Sequence, residues 1–253
     1  MAAGMSHADR ALAEGFGVSA SAYDRHRPLY PVELFDELVA LCPERVLDVG
    51  CGTGRVAAPL LQRGLDVLGV EPDVQMASVA RARGVEVEIG TFEQWDDAGR
   101  RFDLVTCGAA WHWIDPHRGA RKAATVLAPG GTLARFLTHR ILDDEPLAAL
   151  DAVYRAHAPE TCSDGRPPSW LHDDDAVVAD PAFARVRSHT LNGAWIYSAD
   201  EWLGLVTTLS DHIALGPRRL NRLVDALRGV IDDDLGGSLH VTSRTHVVLA
   251  TRL

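Results

Sequence analysis

Asp48-Val49-Gly50-Cys51-Gly52-Thr53-Gly54 sets three alternating glycines behind an acidic residue and an apolar run. Glycines at such a turn accept positive φ and let a ligand come close to bare backbone. The spacing therefore predicts a binding loop rather than a turn that only packs well. An acid at this place suits a ligand with a positive amine and would repel a pyrophosphate. A dinucleotide fingerprint, G-x-G-x-x-G, needs its last glycine where this chain has Arg55. A Walker loop needs a following Gly-Lys-Ser/Thr, which is absent. Glu71 stands 21 residues beyond Gly50 in Gly69-Val70-Glu71-Pro72-Asp73, where a carboxylate can accept both hydroxyls of a ribose. His112, in Trp111-His112-Trp113, has an ordinary pKa near 6.5, which suits either a general base or a hydrogen-bonding group.

These residues need elements to hold them. Arg45–Val49, Asp66–Val70, Val85–Ile89, Phe102–Cys107 and Gly131–Phe136 each read as a buried strand. Between them lie helical patterns at Arg55–Arg63, stopped by Gly64, and after Asp73, whose side chain can cap the helix carrying Met76, Val79 and Ala80. Strands alternating with helices imply a parallel sheet with right-handed crossovers. Pro31 opens a helix through Leu34, Phe35, Leu38 and Leu41. Residues 1–30 show little apolar periodicity and are expected to form a mobile arm. Downstream, Ala158–His172 reads as a long surface loop, Ser198 and Glu201 as a capping box, and Pro217–Ile231 as a helix. Phe183–Leu191 and Leu239–Leu253 read as an antiparallel edge pair.

From Asp48 to Gly54 the chain resembles the class I S-adenosylmethionine-dependent methyltransferases, and further stretches agree in order and spacing. The resemblance covers residues 20–138 closely and the final β pair more loosely. It implies a doubly wound, Rossmann-like seven-stranded α/β sheet, mostly parallel with an antiparallel last strand, plus a helical lid insertion. It also implies S-adenosylmethionine as cofactor and S-adenosylhomocysteine as product. Carried over residue by residue, the cofactor-binding set is Asp48, Gly50, Cys51 and Gly52 in the loop, Glu71 on the ribose, and Pro72 and Met76 along the adenosine. Thr91 and Phe92, in Gly90-Thr91-Phe92-Glu93, match the residues at the adenine edge, and Gly108 and Ala109 follow strand four. The glycines of Ala128-Pro129-Gly130-Gly131 match a structural turn and receive no chemistry. Tyr23-Asp24-Arg25-His26-Arg27-Pro28-Leu29-Tyr30-Pro31 resembles the arm of the methyltransferase type 11 subgroup that includes trans-aconitate methyltransferase-like proteins. There Tyr23 and Arg27 would meet the sulfonium and the cofactor carboxylate; the competing reading is a loop anchored on the core by its tyrosines. His112 is the candidate catalytic residue. Trp111, Trp113 and His139 are candidates for the acceptor site, with Arg140 beside them.

The implied domain plan is an arm at 1–30, a cofactor-binding core at 31–138, a lid with an edge strand at 139–237, and a final core strand at 238–253. The expected reaction transfers a methyl group to a small molecule, at a carboxylate or hydroxyl oxygen. The rivals are a non-catalytic S-adenosylmethionine-binding or regulatory protein and an NAD-dependent oxidoreductase, the latter opposed by Arg55.

Composition narrows the partners. The 253 residues fit one large domain, since a single core stops growing at roughly 250–300 residues. Against 25 Lys+Arg stand 35 Asp+Glu, a net charge of −10, which disfavours nucleic acid and anionic membranes as partners. Cys42, Cys51, Cys107 and Cys162 lack metal-ligand spacing and fit a reducing, cytoplasmic setting. The start has no signal-peptide pattern, and no apolar run nears the roughly 20 residues that span a bilayer. No metal is expected, and the assembly is expected to be a monomer or homodimer. The absence of a G-x-S-x-G elbow argues against a hydrolase.

Overall fold

The computed structural model describes residues 20–161 and 176–253. Residues 1–19, and with them most of the expected arm, lie outside that range. So do Cys162, Trp170, His172 and Asp173–Asp175.

The first half alternates as its apolar runs require. Strands β1 (Arg45–Val49), β2 (Asp66–Glu71), β3 (Glu86–Ile89), β4 (Phe102–Gly108) and β5 (Leu127–Leu142) enclose α3 (Ala57–Gln62), α4 (Val74–Ala82) and α5 (Pro116–Val126). Two helices precede them, α1 (Ala20–His26) and α2 (Val32–Ala40). The expected mobile arm thus includes a helix, and its Tyr30 is pinned edge-on against Phe136 at 4.9 Å between ring centroids. Asp73 caps α4 as the sequence predicts, accepting the Gln75 and Met76 backbone N–H groups at 2.8 and 3.0 Å.

The second half carries α6 (Asp144–His157), α7 (Ala176–Ala179), β6 (Phe183–Ser198), α8 (Ala199–Val206), α9 (Ser210–Ile213), α10 (Pro217–Gly229) and β7 (Ser238–Arg252). Ser198 and Glu201 form the predicted capping box at the start of α8.

All seven strands join one sheet in the order β3-β2-β1-β4-β5-β7-β6. The first five are parallel, and β7 runs antiparallel between β5 and β6. Order reverses between β1 and β4, and the carboxyl ends of strands at such a switch point open a crevice. The Asp48–Gly54 loop leaves β1 at that crevice.

Leu34, Leu38, Leu60 and Ala77 pack one face of the sheet; Trp95, Phe102, Ala123 and Val126 pack the other. A third cluster, with Leu150, Leu203, Leu223, Leu227 and Leu239, belongs to the downstream helices. It rests on the far ends of β5, β6 and β7, which are 16, 16 and 15 residues long. β5 extends beyond the expected Gly131–Phe136 because Leu137–Leu142 keep pairing with β7, from His246 to Val241. β6 likewise runs to Ser198 rather than Leu191. The long strands therefore carry the helical layer on the same sheet that forms the crevice.

Candidate active site

At the crevice, Gly50, Gly52 and Gly54 all take positive φ, between 55° and 81°. A side chain on Gly50 would fall 2.6 Å from the Ala110 Cβ, so glycine is required on steric grounds as well as conformational ones. Gly108, at the end of β4, is hemmed in by Phe136, the Tyr30 hydroxyl and Val56. Ala109 follows with φ 54°, turning the chain into the short 3-10 helix Trp111–Trp113. A non-glycine residue in that conformation is uncommon, and its strain sits beside the crevice.

Two adjoining cavities open here. The larger, about 340 Å³, is lined by Gly50 and Gly52 of the loop, Glu71, Pro72 and Met76, then Thr91, Phe92 and Glu93. Its wall is completed by Gly108 and Ala109, His112 and Trp113, Tyr23 and Arg27, and Leu209–Asp211. The smaller, about 70 Å³, continues past the loop and is lined by Asp48, Cys51, Thr53, Arg55, Thr138 and Arg140, among others. Tyr23, Arg27, Gly50, Gly52, Gly108 and Ala109 border both.

Every cofactor residue inferred from sequence borders one of these cavities. Glu71 is buried, and its two oxygens accept the Gly52 backbone N–H at 2.9 Å and the Asp73 N–H at 3.0 Å. The carboxylate thereby ties the glycine loop to the turn after β2. Burial pushes its pKa up to about 7, against the pull of those two N–H groups. Asp48 lies deeper. Its oxygens accept the Thr106 hydroxyl at 2.8 Å and the Ala57 N–H at the start of α3 at 3.2 Å, and burial raises it too to about 7. Asp48 is thus a structural anchor for the loop and borders only the smaller of the two cavities.

The arm residues are engaged with protein. Arg27 stacks over the Tyr23 ring at 4.9 Å and donates Nε and Nη2 to the Thr208 side chain and carbonyl at 3.0 and 2.9 Å. Tyr23 borders both cavities, while Tyr30 borders the smaller one and packs on Phe136, so the arm both lines the crevice and is fastened by a tyrosine. Burial, and then the charge of Arg27, lower His112 to about 4. At neutral pH the imidazole is uncharged.

Two expected acceptor residues sit elsewhere. Trp111 is buried in the core beneath the Arg135 guanidinium, 5.0 Å from its ring, and borders neither cavity. The 3-10 turn puts Trp111 and Trp113 on different sides, so only Trp113 faces the space. His139 packs against His246 at 5.5 Å between ring centroids and also borders neither. Of the lid aromatics, Trp195 is exposed on β6 and Trp202 stacks on Tyr197.

Sequence reasoning missed the surroundings of Arg55, Thr53 and Glu93. Arg55 entered only as a missing glycine, yet its Nη1 donates to the Asp24 carbonyl at 3.1 Å and its Nη2 is buried with no partner. The hydroxyls of Thr53 and Thr91 are also buried and unpartnered at the smaller and larger cavity respectively. Glu93 accepts the Asp115 N–H at 3.0 Å and borders the larger cavity. Buried polar groups without partners are uncommon in folded proteins and call for a ligand or water. Here they lie at the walls of the two cavities on either side of the glycine loop.

This fold and crevice are similar to those of class I S-adenosylmethionine-dependent methyltransferases. Residues 46–131 match the family model described as "Methyltransferase domain". The chain is 40% identical over 131 residues to an uncharacterized methyltransferase of Mycobacterium tuberculosis, covering 51% of this chain and 54% of the relative. It is 34% identical over 117 residues to a ubiquinone biosynthesis O-methyltransferase of Azorhizobium caulinodans, covering 44% and 46%. The chain spans about half the length of the curated relatives it matches. A solved structure from Anaeromyxobacter dehalogenans, a candidate type II methyltransferase, superposes with TM-score 0.63 at 23% identity, covering 88% of this chain and 97% of that one. That likeness in fold extends beyond residue 138.

Proposed function

We propose that the protein transfers the methyl group of S-adenosylmethionine to an oxygen of a small-molecule acceptor. The observation that carries this reading is the Glu71 carboxylate, buried at the wall of a glycine-cradled cavity and hydrogen-bonded to the loop itself. When bound, S-adenosylmethionine supplies a methyl group already activated by its sulfonium. The chain's contribution is to place and enclose the reactants, which supplies much of the acceleration in such a transfer.

In this reading Glu71 accepts the ribose hydroxyls, Pro72 and Met76 flank the adenosine, and Thr91 with Phe92 holds the adenine edge. Gly50, Cys51, Gly52, Gly108 and Ala109 shape the passage from the larger cavity to the smaller. Thr53 and Arg55 take the amino-acid end, with Asp48 fixing the loop behind them. Tyr23 and Trp113 present aromatic faces to the sulfonium and acceptor. His112, uncharged, orients a reactant through a hydrogen bond. Residues 1–30 serve as the arm, 31–138 as the binding core, 139–237 as the lid and 238–253 as the closing strand.

The O-methyltransferase relatives support oxygen as the acceptor atom over the matched half of the chain. The acidic balance supports small molecules over nucleic acid as partners. Cys42, Cys51 and Cys107 are free thiols, which suits the cytoplasm; no helix among the described residues is long and apolar enough to cross a membrane. A monomer or homodimer would serve equally, since the site is built within one chain.

The test is mass spectrometry of a cell extract incubated with the protein and methyl-labelled S-adenosylmethionine. Label is expected in one small-molecule fraction. Tight cofactor binding with no labelled product would favour a regulatory binding protein instead.

A further inference from the structure

The helix α9 brings Leu209, Ser210 and Asp211 to the wall of the larger cavity, together with His112, Trp113 and Tyr23. One oxygen of Asp211 is fully committed. Its Oδ1 accepts the His212 backbone N–H at 2.9 Å and meets His212 Nδ1 at 2.6 Å. On the far side of that ring, Nε2 meets the Tyr154 hydroxyl of α6 at 2.9 Å. The His212 side chain is 5% exposed, whereas that of Asp211 is 41% exposed. Tyr154, the His212 ring and Asp211 Oδ1 thus form one hydrogen-bonded chain. The second oxygen, Oδ2, has no hydrogen-bond partner among the described residues. The nearby Arg27 guanidinium donates to Thr208.

We propose that Asp211 is a catalytic residue: its Oδ2 receives the hydroxyl proton of the acceptor, while His212 and Tyr154 position it. This rests on the reading of the cavity as a methyltransferase site and narrows the acceptor oxygen to a hydroxyl on an apolar body. A carboxylate acceptor would set its own anion beside Asp211 and Glu93 and would have no proton to give. The apolar body follows from Trp113, Ile114, Leu137 and Leu209 in the same wall. As the acceptor oxygen bonds to the methyl carbon, its O–H bond breaks toward Oδ2 and the O–H bonding pair stays on oxygen. The carbon–sulfur pair leaves with sulfur, and Asp211 releases the proton to solvent from its exposed side. Burial alone would raise Asp211, but its hydrogen bond and charge pairing with His212 hold it below the usual carboxylate value. A weak base suffices here, because a hydroxyl becomes strongly acidic as its oxygen is methylated.

The experiment uses the intact chain, labelled S-adenosylmethionine, and benzene and naphthalene bodies carrying a hydroxyl, an aminomethyl or a carboxylate group. Label is expected on hydroxyl compounds alone. Asp211→Asn should lower kcat about 100-fold, the low end for removing a general base, with Asp211→Glu restoring part of it. Calorimetry should find S-adenosylhomocysteine affinity within about twofold of the parent in both variants. Label on the amine or carboxylate, none on any hydroxyl, or full turnover by Asp211→Asn would overturn the proposal. Failure of the parent protein to bind S-adenosylhomocysteine would instead overturn the cofactor reading beneath it.

Discussion

The cofactor end and the acceptor end of the crevice are built on opposite principles. At the cofactor end, residues 48–54, 71–76, 90–93 and 108–109 follow the strands that carry them and need only those strands to be in place. At the proposed acceptor end, α1 and α9, roughly 180 residues apart in sequence, join Trp113, Ile114 and Leu137 in the wall. α1 is held to α8 and the turn before α9 by Arg27 on Thr208 and by the His26 ring packed on Gly204. A local site is fixed by backbone conformation and one buried carboxylate. A non-local site depends on the whole lid being folded, and its chemistry can change without disturbing the strands.

That contrast can be broken by substitution. The largest effect is expected from Gly50→Val. The new side chain must enter the space of Ala110 with a φ that β-branched residues avoid. S-adenosylhomocysteine affinity should fall more than about 100-fold; ordinary affinity in a calorimetric titration would mean that the loop is not the cradle. Next, Glu71→Ala should weaken that affinity at least about tenfold. Glu71 has its pKa near 7 in the free protein, and only the ionised carboxylate accepts from both ribose hydroxyls. Parent affinity should therefore drop as pH falls from 8 to 6, and Glu71→Gln should flatten the profile. An unchanged slope in that variant would assign the pH dependence to another group.

A smaller, more selective effect is expected from Arg55→Met. S-adenosylhomocysteine should bind about three- to tenfold more weakly, while methylthioadenosine, which lacks the amino-acid end, should bind as before. Equal losses for both ligands would indicate a general distortion of the loop. The smallest effect is expected from His112→Asn, which keeps a hydrogen-bonding side chain. A single such bond is worth about 1 kcal/mol, so kcat should fall less than about tenfold. Because burial keeps His112 neutral down to about pH 4, the profile between pH 5 and 9 should be the same in parent and variant. A limb near pH 6.5 that vanishes in the variant would make His112 the base after all.

The same contrast governs what could be read from sequence. The strands β1, β2 and β4 and the loops after them were legible because each is buried along most of its length and ends in residues whose types are set by local geometry. The caps at Asp73 and Ser198 were legible for the same reason. The outer halves of β5 and β6 were not, because residues such as Thr138, Arg140, Asn192 and Ala194 are only half-buried or exposed and show no continuous apolar run. Arg55 was visible but was weighed for what it excluded rather than for where its guanidinium ends. Trp111 and Trp113 are two residues apart, and only the 3-10 turn decides which of them faces the cavity. Asp211 carries no local signal: its role comes from Tyr154, 57 positions earlier, and from an α9 too short to show periodicity.

The central claim, an S-adenosylmethionine site at the Asp48–Gly54 loop, is tested most directly by calorimetry of the intact chain with S-adenosylhomocysteine and NAD in parallel. Saturable binding of S-adenosylhomocysteine alone, weakened at least about tenfold by Glu71→Ala, is the predicted result. Binding of NAD without S-adenosylhomocysteine would contradict it.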